Sequence, residues 1–416
     1  MGYFSRHLVN AMIIALGSFS VGQIMAYSSP TNIPMGQEFG LSSSMLTFFN
    51  ILAPLAAFFG GFVSKATVSR FGRKTSTFIF GAITFVTWFI LALTPKSIYW
   101  LAYVIRAIQG VCFGSVLGIC GMYIIEISPT EYRGSYGTIH QFFICIGASY
   151  TYALGIFFSW RTLTFLSTIF TGIHLVLIWY VPDSHVVEDN NEDQEPLFQM
   201  KYLKPNLHLL ALNFFQQFSG INAIMTNLSA IFIESKVTLA PAVCALLVSL
   251  SQVITSGIAS PIVESLGRKP TWVISAVGQF LSLLFEWAHI TWNIHPILPL
   301  ICLFMDVLFF GLGFGPITWI VVPELYPDSV RSTASTYGAG LNNLLASSVM
   351  FIWPIMKNSI GMGWGFFIFS IICLSAGVYG QYYMPETKGA SLGEVDNEDS
   401  NHSNDDKEQK VPIELD

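Results

Sequence analysis

Gly72-Arg73-Lys74 recurs as Gly267-Arg268-Lys269, 195 residues later. Glu126-Ile-Ser-Pro-Thr-Glu-Tyr-Arg133 recurs as Glu324-Leu-Tyr-Pro-Asp-Ser-Val-Arg331, 198 residues later. In both copies of the longer motif an acid is followed by an Arg seven residues on, with a Pro between. Two unrelated motifs repeating at nearly one offset point to a duplicated unit of about half the chain. The short motif follows the second long apolar run of each half, and the longer one follows the fourth.

Those apolar runs dominate the chain. Of 416 residues, 53% are hydrophobic and 11% are charged, against about 25% charged in a soluble domain. Residues 183–204 hold 8 charges and residues 385–416 hold 13, so the other 362 residues carry only 23. A water-soluble fold cannot cover that much apolar surface with so few charges, so lipid is the solvent. Runs of spanning length fall at 8–28, 44–64, 76–94, 98–120, 136–157, 162–181, 207–227, 240–261, 272–291, 296–320, 336–356 and 363–383. The expectation is an all-α membrane protein with 12 transmembrane helices, since a lone strand leaves its backbone unsatisfied in lipid. The first run has no cleavage pattern behind it and reads as a retained span.

Domain organisation follows. Residues 1–181 form a six-helix half, 182–206 an acidic linker, and 207–390 a second six-helix half. Residues 391–416 are an acidic tail expected to be disordered. With both termini in the cytoplasm, 14 of the 19 Lys and Arg residues lie on the cytoplasmic side, the bias expected of a multi-pass protein. Two such halves meeting at the bilayer midplane is transporter architecture.

Several chemistries are excluded. The two charged stretches sum to −11, which leaves +5 elsewhere and no basic stripe for nucleic acid. The six Cys all sit in apolar runs without metal spacing. No nucleophile–base constellation or phosphate loop is present, so neither an enzyme, a metal nor a cofactor is expected. Nothing points to an obligate protein partner; the partners expected are a small molecule and the bilayer.

At the repeated motifs and four other segments the chain resembles the sugar porters of the major facilitator superfamily, among them facilitative glucose transporters and insect trehalose transporters. The resemblance runs over most of residues 7–390. It rests on Glu126-Ile-Ser-Pro…Arg133-Gly134, on the continuation to His140-Gln141, and on Gln216-Gln217-Phe-Ser-Gly220-Ile-Asn222. It rests also on Gly313-Phe-Gly315-Pro316-Ile-Thr-Trp319 with Pro323-Glu324-Leu-Tyr-Pro327, and on Pro385-Glu386-Thr387-Lys388-Gly389. It implies the major facilitator fold and facilitative transport of a monosaccharide, most simply a hexose such as glucose, at the plasma membrane.

A sugar presents hydroxyls that both donate and accept, so its site needs amides, which do the same, and an aromatic wall. The resemblance places Gln141, Gln216, Gln217, Asn222, Gln252, Trp319 and Asn342 at that site. Gln217 and Asn222 lie about 140° apart around an ideal helix. They share a cavity only if the helix is unwound at Ser219-Gly220. Arg73, Glu126, Arg133, Glu264, Arg268, Glu324 and Arg331 are expected to form a conformational latch holding the cytoplasmic side shut. Gly110, Gly114 and Gly118 are expected to form a close helix-packing face.

The chain departs from the family in places. Ser69 stands where an Asp is usual, Thr226-Asn227 where paired tyrosines are usual, and Gly311 where glucose transporters carry a Glu. Ile24 occupies the position of the first-span Asp of proton-coupled members, which favours uniport. The alternatives are a proton-coupled symporter, for which Asp306 and Glu286 are the embedded acids, and a non-transporting sugar sensor.

Overall fold

The computed structural model describes residues 3–129, 133–184 and 196–388; most of the acidic linker and the whole tail lie outside them. The described residues form fourteen α-helices and no strand. The first half holds α1 (Tyr3–Ala26), α2 (Ser28–Phe39), α3 (Ser43–Leu93), α4 (Trp100–Ile127), α5 (Arg133–Phe157) and α6 (Trp160–Leu177). The second holds α7 (Leu203–Phe218), α8 (Ile221–Glu234), α9 (Pro241–Leu266), α10 (Arg268–Trp292), α11 (Leu298–Leu312), α12 (Phe314–Glu324), α13 (Asp328–Ile360) and α14 (Met362–Tyr382).

Ten helical stretches are long and apolar enough to cross a bilayer. One of them, α3, runs for 51 residues. That is about 77 Å at 1.5 Å per residue, more than twice a bilayer core of about 30 Å, so α3 supplies two crossings. They are divided at Gly72, whose φ of 77° and ψ of 171° break the helix. Helices α7 and α8, of 16 and 14 residues, are each too short to cross alone. End to end across Gly220 they make one more crossing. The chain is thus an all-helical membrane protein of twelve spans in two halves of six.

The turn at Gly72 explains the repeated motif. Its copy, Gly267, has φ 99° between α9 and α10. A Cβ there would also stand 2.8 Å from Glu386 Oε2. Only glycine takes that backbone without strain. The loop expected around residues 65–75 is a single-residue kink, because the helices continue through the charged motif beyond the lipid core. The spans are longer than their apolar runs for the same reason: the eleventh, expected at 336–356, is part of α13 from Asp328 to Ile360.

Each half has its own core. Ala11, Phe49, Trp88, Phe113 and Tyr123 belong to the first. The second half has one cluster around Phe232, Val248 and Phe366 and another around Trp272, Phe314 and Val330. Ala26, Ala148 and Tyr152 of the first half pack into the Phe232 cluster. The halves meet through hydrogen bonds there. Tyr152 Oη donates to Met225 O at 2.8 Å, Ser249 Oγ pairs with Ser149 Oγ at 3.0 Å, and Ser29 with Ser229 at 3.3 Å. Both Gly-Arg-Lys copies lie at the opposite end, called here the charged end.

The glycine face on α4 is only partly as expected. A Cβ on Gly110 would stand 2.3 Å from Ala53 O, and one on Gly114 2.2 Å from Ala57 O. Both let α4 lie backbone to backbone on α3. Gly118 meets nothing within 4 Å and takes no part. Gly114→Val is therefore expected to destabilise the chain by about 1–3 kcal/mol through overpacking, while Gly118→Ala leaves it unchanged. Thermal unfolding in detergent separates the two.

Candidate functional site

Helix α7 ends at Phe218, and Gly220, at φ 92°, lets the chain restart as α8 in a new direction. The break brings Gln217 and Asn222 together: Asn222 Nδ2 donates to Gln217 Oε1 at 2.5 Å. Gln217 Nε2 donates in turn to Asn342 Oδ1 on α13, at 2.9 Å. Asn342 Nδ2 is shared between Gln216 Oε1 at 2.5 Å and Asn213 Oδ1 at 2.9 Å. Five amides thus form one chain in the second half, with Asn342 as its hub.

Gln216 extends the chain to a second broken helix. Its Nε2 donates to Phe314 O at 2.8 Å and Gly315 O at 3.2 Å, at the start of α12. Gln216 and Gln217 are 2% and 4% exposed and spend their polar atoms on protein. Asn222 is half-buried at the edge of the chain. Trp319, on α12, is 43% exposed. In the first half Gln141 is exposed on α5, with only Cys145 Sγ as partner among the described residues, at 3.5 Å. Gln252, on α9, is half-buried and its side chain makes no hydrogen bond among the described residues. The structure therefore gathers Gln216, Gln217, Asn222 and Asn342, and holds Gln141, Gln252 and Trp319 apart from that chain.

Asn213 was not among the sequence candidates. It lies one turn before Gln217 on α7, the helical spacing that could have pointed to it. Gly311 shows why a larger residue is absent: a Cβ there would stand 2.1 Å from Thr255 Oγ1 on α9. Asn227 turns back onto its own helix, donating to Ala223 O at 2.8 Å.

At the charged end, each half ties its own helices together. Arg73 Nε donates to both oxygens of Glu126, at 2.7 and 2.6 Å, and Nη2 lies 2.6 Å away. In the second half Arg268 Nη2 donates to Glu324 Oε1 at 2.9 Å. Both pairs sit inside one half and neither spans the two. A third repeated segment joins them, Pro182-Asp183-Ser184 and Pro385-Glu386-Thr387, 203 residues apart. Ser184 Oγ donates to Glu126 Oε2 at 2.5 Å, and Thr387 Oγ1 donates to Glu324. Glu386 accepts from the backbone N–H of Arg268 and Lys269, both at 3.0 Å, capping α10 where its dipole favours an anion. The repeat offset could have revealed this segment.

The remaining latch candidates stand differently. Arg331 donates to the carbonyls of Pro323 and Tyr326 at 3.1 and 3.2 Å. Glu264 is exposed and, among the described residues, accepts only from Ser260, at 3.4 Å. Ser69 bonds its own helix at Ala66 O, at 3.1 Å. The side chain of Arg133 lies outside the described residues.

The embedded acids also lie close together. Glu286 on α10 and Asp306 on α11 are 0% and 1% exposed. Both oxygens of Glu286 and Oδ1 of Asp306 have no hydrogen-bond partner among the described residues. Ser235, Cys302 and Cys373 lie near this pair.

Twelve spans in two halves, an amide chain at two helix breaks and duplicated charged motifs together define a solute transporter of the membrane. The chain belongs to the family described as "Sugar (and other) transporter", whose model matches residues 7–195 and again 185–398. It is a sugar transporter of the major facilitator superfamily and not an enzyme. It is 28% identical over 436 residues to the facilitated trehalose transporter Tret1 of Bombyx mori, covering 94% of this chain and 86% of that one. It is 25% identical over 438 residues to sugar transporter ERD6-like 8 of Arabidopsis thaliana, covering 93% and 91%. The fold matches the inward open conformation of the xylose transporter XylE from E. coli with a TM-score of 0.81. That match is at 21% identity over 94% of this chain and 99% of that one.

Two outcomes are expected. Glu126→Gln removes the negative charge paired with a buried guanidinium and should cost about 3–5 kcal/mol. Glu324→Gln should cost less, because that pair is more exposed, at 17% and 20% against 10% and 9%. Equal losses in thermal unfolding would contradict the ranking. Asn342→Ala takes the partner from Gln216 Oε1 and Gln217 Nε2 and should cost about 1–3 kcal/mol, with a rise in KM for sugar.

Proposed function

We propose that the chain is a uniporter that carries a hexose such as glucose down its gradient by alternating access. The observation that carries this reading is the amide chain from Asn222 through Gln217, Asn342 and Gln216 to the start of α12. It links the two broken helices through groups that both donate and accept. Asn222, Gln141, Gln252 and Trp319 present the free edge and the aromatic wall. A sugar bound there would complete the hydrogen bonds of Asn222 and Gln141 while its C–H face lies on Trp319. The inner amides, above all Gln216, hold the scaffold.

The halves are sealed at the Tyr152–Met225 end, while Gln141 and Trp319 are exposed toward the charged end. This supports a state open at the charged end. The excess of Lys and Arg there supports a cytoplasmic placing, with both termini inside. We place the chain in the plasma membrane and divide its halves at the acidic linker 182–206. The Arg73–Glu126 and Arg268–Glu324 pairs stiffen the charged end of each half, so that the halves rock as bodies.

Uniport is supported by Ile24, which leaves the first span without a carboxylate. The word "facilitated" in the names of several relatives supports it too, and those names make trehalose the second substrate to try. The specific observation that favours proton symport instead is the buried Glu286–Asp306 pair.

Proteoliposomes test these readings. Saturable flux of labelled glucose that ignores an imposed pH gradient, and is lost in Gln141→Ala, is expected. Proton-driven accumulation abolished by Asp306→Asn would replace uniport with symport. Saturable binding without flux would point to a sensor.

A further inference from the structure

Arg106 on α4 is 2% exposed and lies in the core of the first half. Its Nη2 donates to Ile24 O at 3.0 Å and to Ser28 Oγ at 3.2 Å, on either side of the α1–α2 break. Its guanidinium stacks on Tyr27 and Phe49, at 5.7 and 5.3 Å from the ring centres. Nε and Nη1 have no hydrogen-bond partner among the described residues. No carboxylate pairs with it there.

The surroundings are rich in free donors. Trp88 is 0% exposed, packs on Tyr27 with ring centres 5.0 Å apart, and has an unpartnered Nε1–H. Gln109 is 0% exposed, lies one turn along α4 from Arg106, and has an unpartnered Nε2. Gln23, beside Ile24, has both side-chain polar atoms unpartnered too, and the unpartnered acceptors Gln23 Oε1, Gln109 Oε1 and Asn50 Oδ1 are all neutral.

A guanidinium stays charged in proteins. Burying it costs several kcal/mol unless an opposite charge is near. The ring faces and the Ile24 carbonyl offset part of that cost. Water would satisfy the hydrogen bonds but would leave the charge uncompensated. Space limits what else fits. A core closed to 2% exposure admits only a small group, and one guanidinium calls for one negative charge.

The geometry points to a binding site for a small monovalent anion, of chloride size, between α1, α3 and α4, held by Arg106, Gln109 and Trp88. The anion takes the place of a side-chain carboxylate. It neutralises Arg106 at the joint where α1 passes into α2, the helix that meets α8 through Ser29 and Ser229. The site lies within one half and does not depend on which sugar is carried.

The test uses the purified full-length chain in detergent. Labelled chloride binding is measured by equilibrium dialysis. Thermal unfolding is followed in sodium chloride against sodium gluconate at constant ionic strength. One chloride per chain is expected, with a Tm that rises as chloride is raised, as for any ligand that binds only the folded state. Arg106→Met should abolish both effects. Ile24→Asp keeps the guanidinium and supplies a carboxylate at the residue that already accepts from it. It should abolish binding even if Arg106→Met fails to fold. No binding to the wild-type chain, with equal Tm in both salts, would overturn the proposal and leave water on these donors. Binding that survives both variants would place the anion elsewhere and overturn it equally.

Discussion

Gln216 holds two interrupted helices together in a medium that offers no water. Its Nε2 donates to the carbonyls of Phe314 and Gly315 where α12 begins, and its Oε1 accepts from Asn342. Backbone groups freed by a helix break must find a partner inside the protein when lipid surrounds it. Most of the site follows from that constraint. The break at Gly220 turns Asn222 onto Gln217, and Asn342 closes the chain of amides. A transporter needs broken helices to bend at its centre, and the amides that repair them also suit a ligand made of hydroxyls.

The charged end shows the same economy, used twice. Each half has a glycine turn, an Arg after it, an acid from the fourth span of that half and a hydroxyl from the segment closing its sixth. Gly72, Arg73, Glu126 and Ser184 are answered by Gly267, Arg268, Glu324 and Thr387. Both pairs are internal to a half and tie its own helices together. The halves meet through apolar packing, as of Tyr152 in the Phe232 cluster and Phe62 against Tyr337, and through neutral hydrogen bonds such as Ser149 with Ser249 and Ser29 with Ser229.

Much of this was legible in the chain. The duplication was visible because charged residues in an apolar protein are few and their spacing stands out. The break at Ser219-Gly220 was visible because Gln217 and Asn222 cannot face one way on an intact helix. Other features were not legible. Apolar length hid the continuity of α3, since hydropathy falls at Ser69–Lys74 while the helix turns only at Gly72. Gly118 carried the same spacing as Gly110 and Gly114, yet only two of the three face α3.

The sequence alone determined the solvent, the number of spans, the duplication and the polar residues suited to a sugar. Those depend on composition and on order along the chain. Only the tertiary structure decided which amides join and which stay apart, and that Arg268 rather than Arg331 grips Glu324. It also decided that Arg106 meets no acid in its core, while Glu286 and Asp306 share theirs. The physical reason is that pairing in a desolvated interior depends on ångströms between helices remote in sequence. Spacing along one helix does not set the rotation of its neighbour.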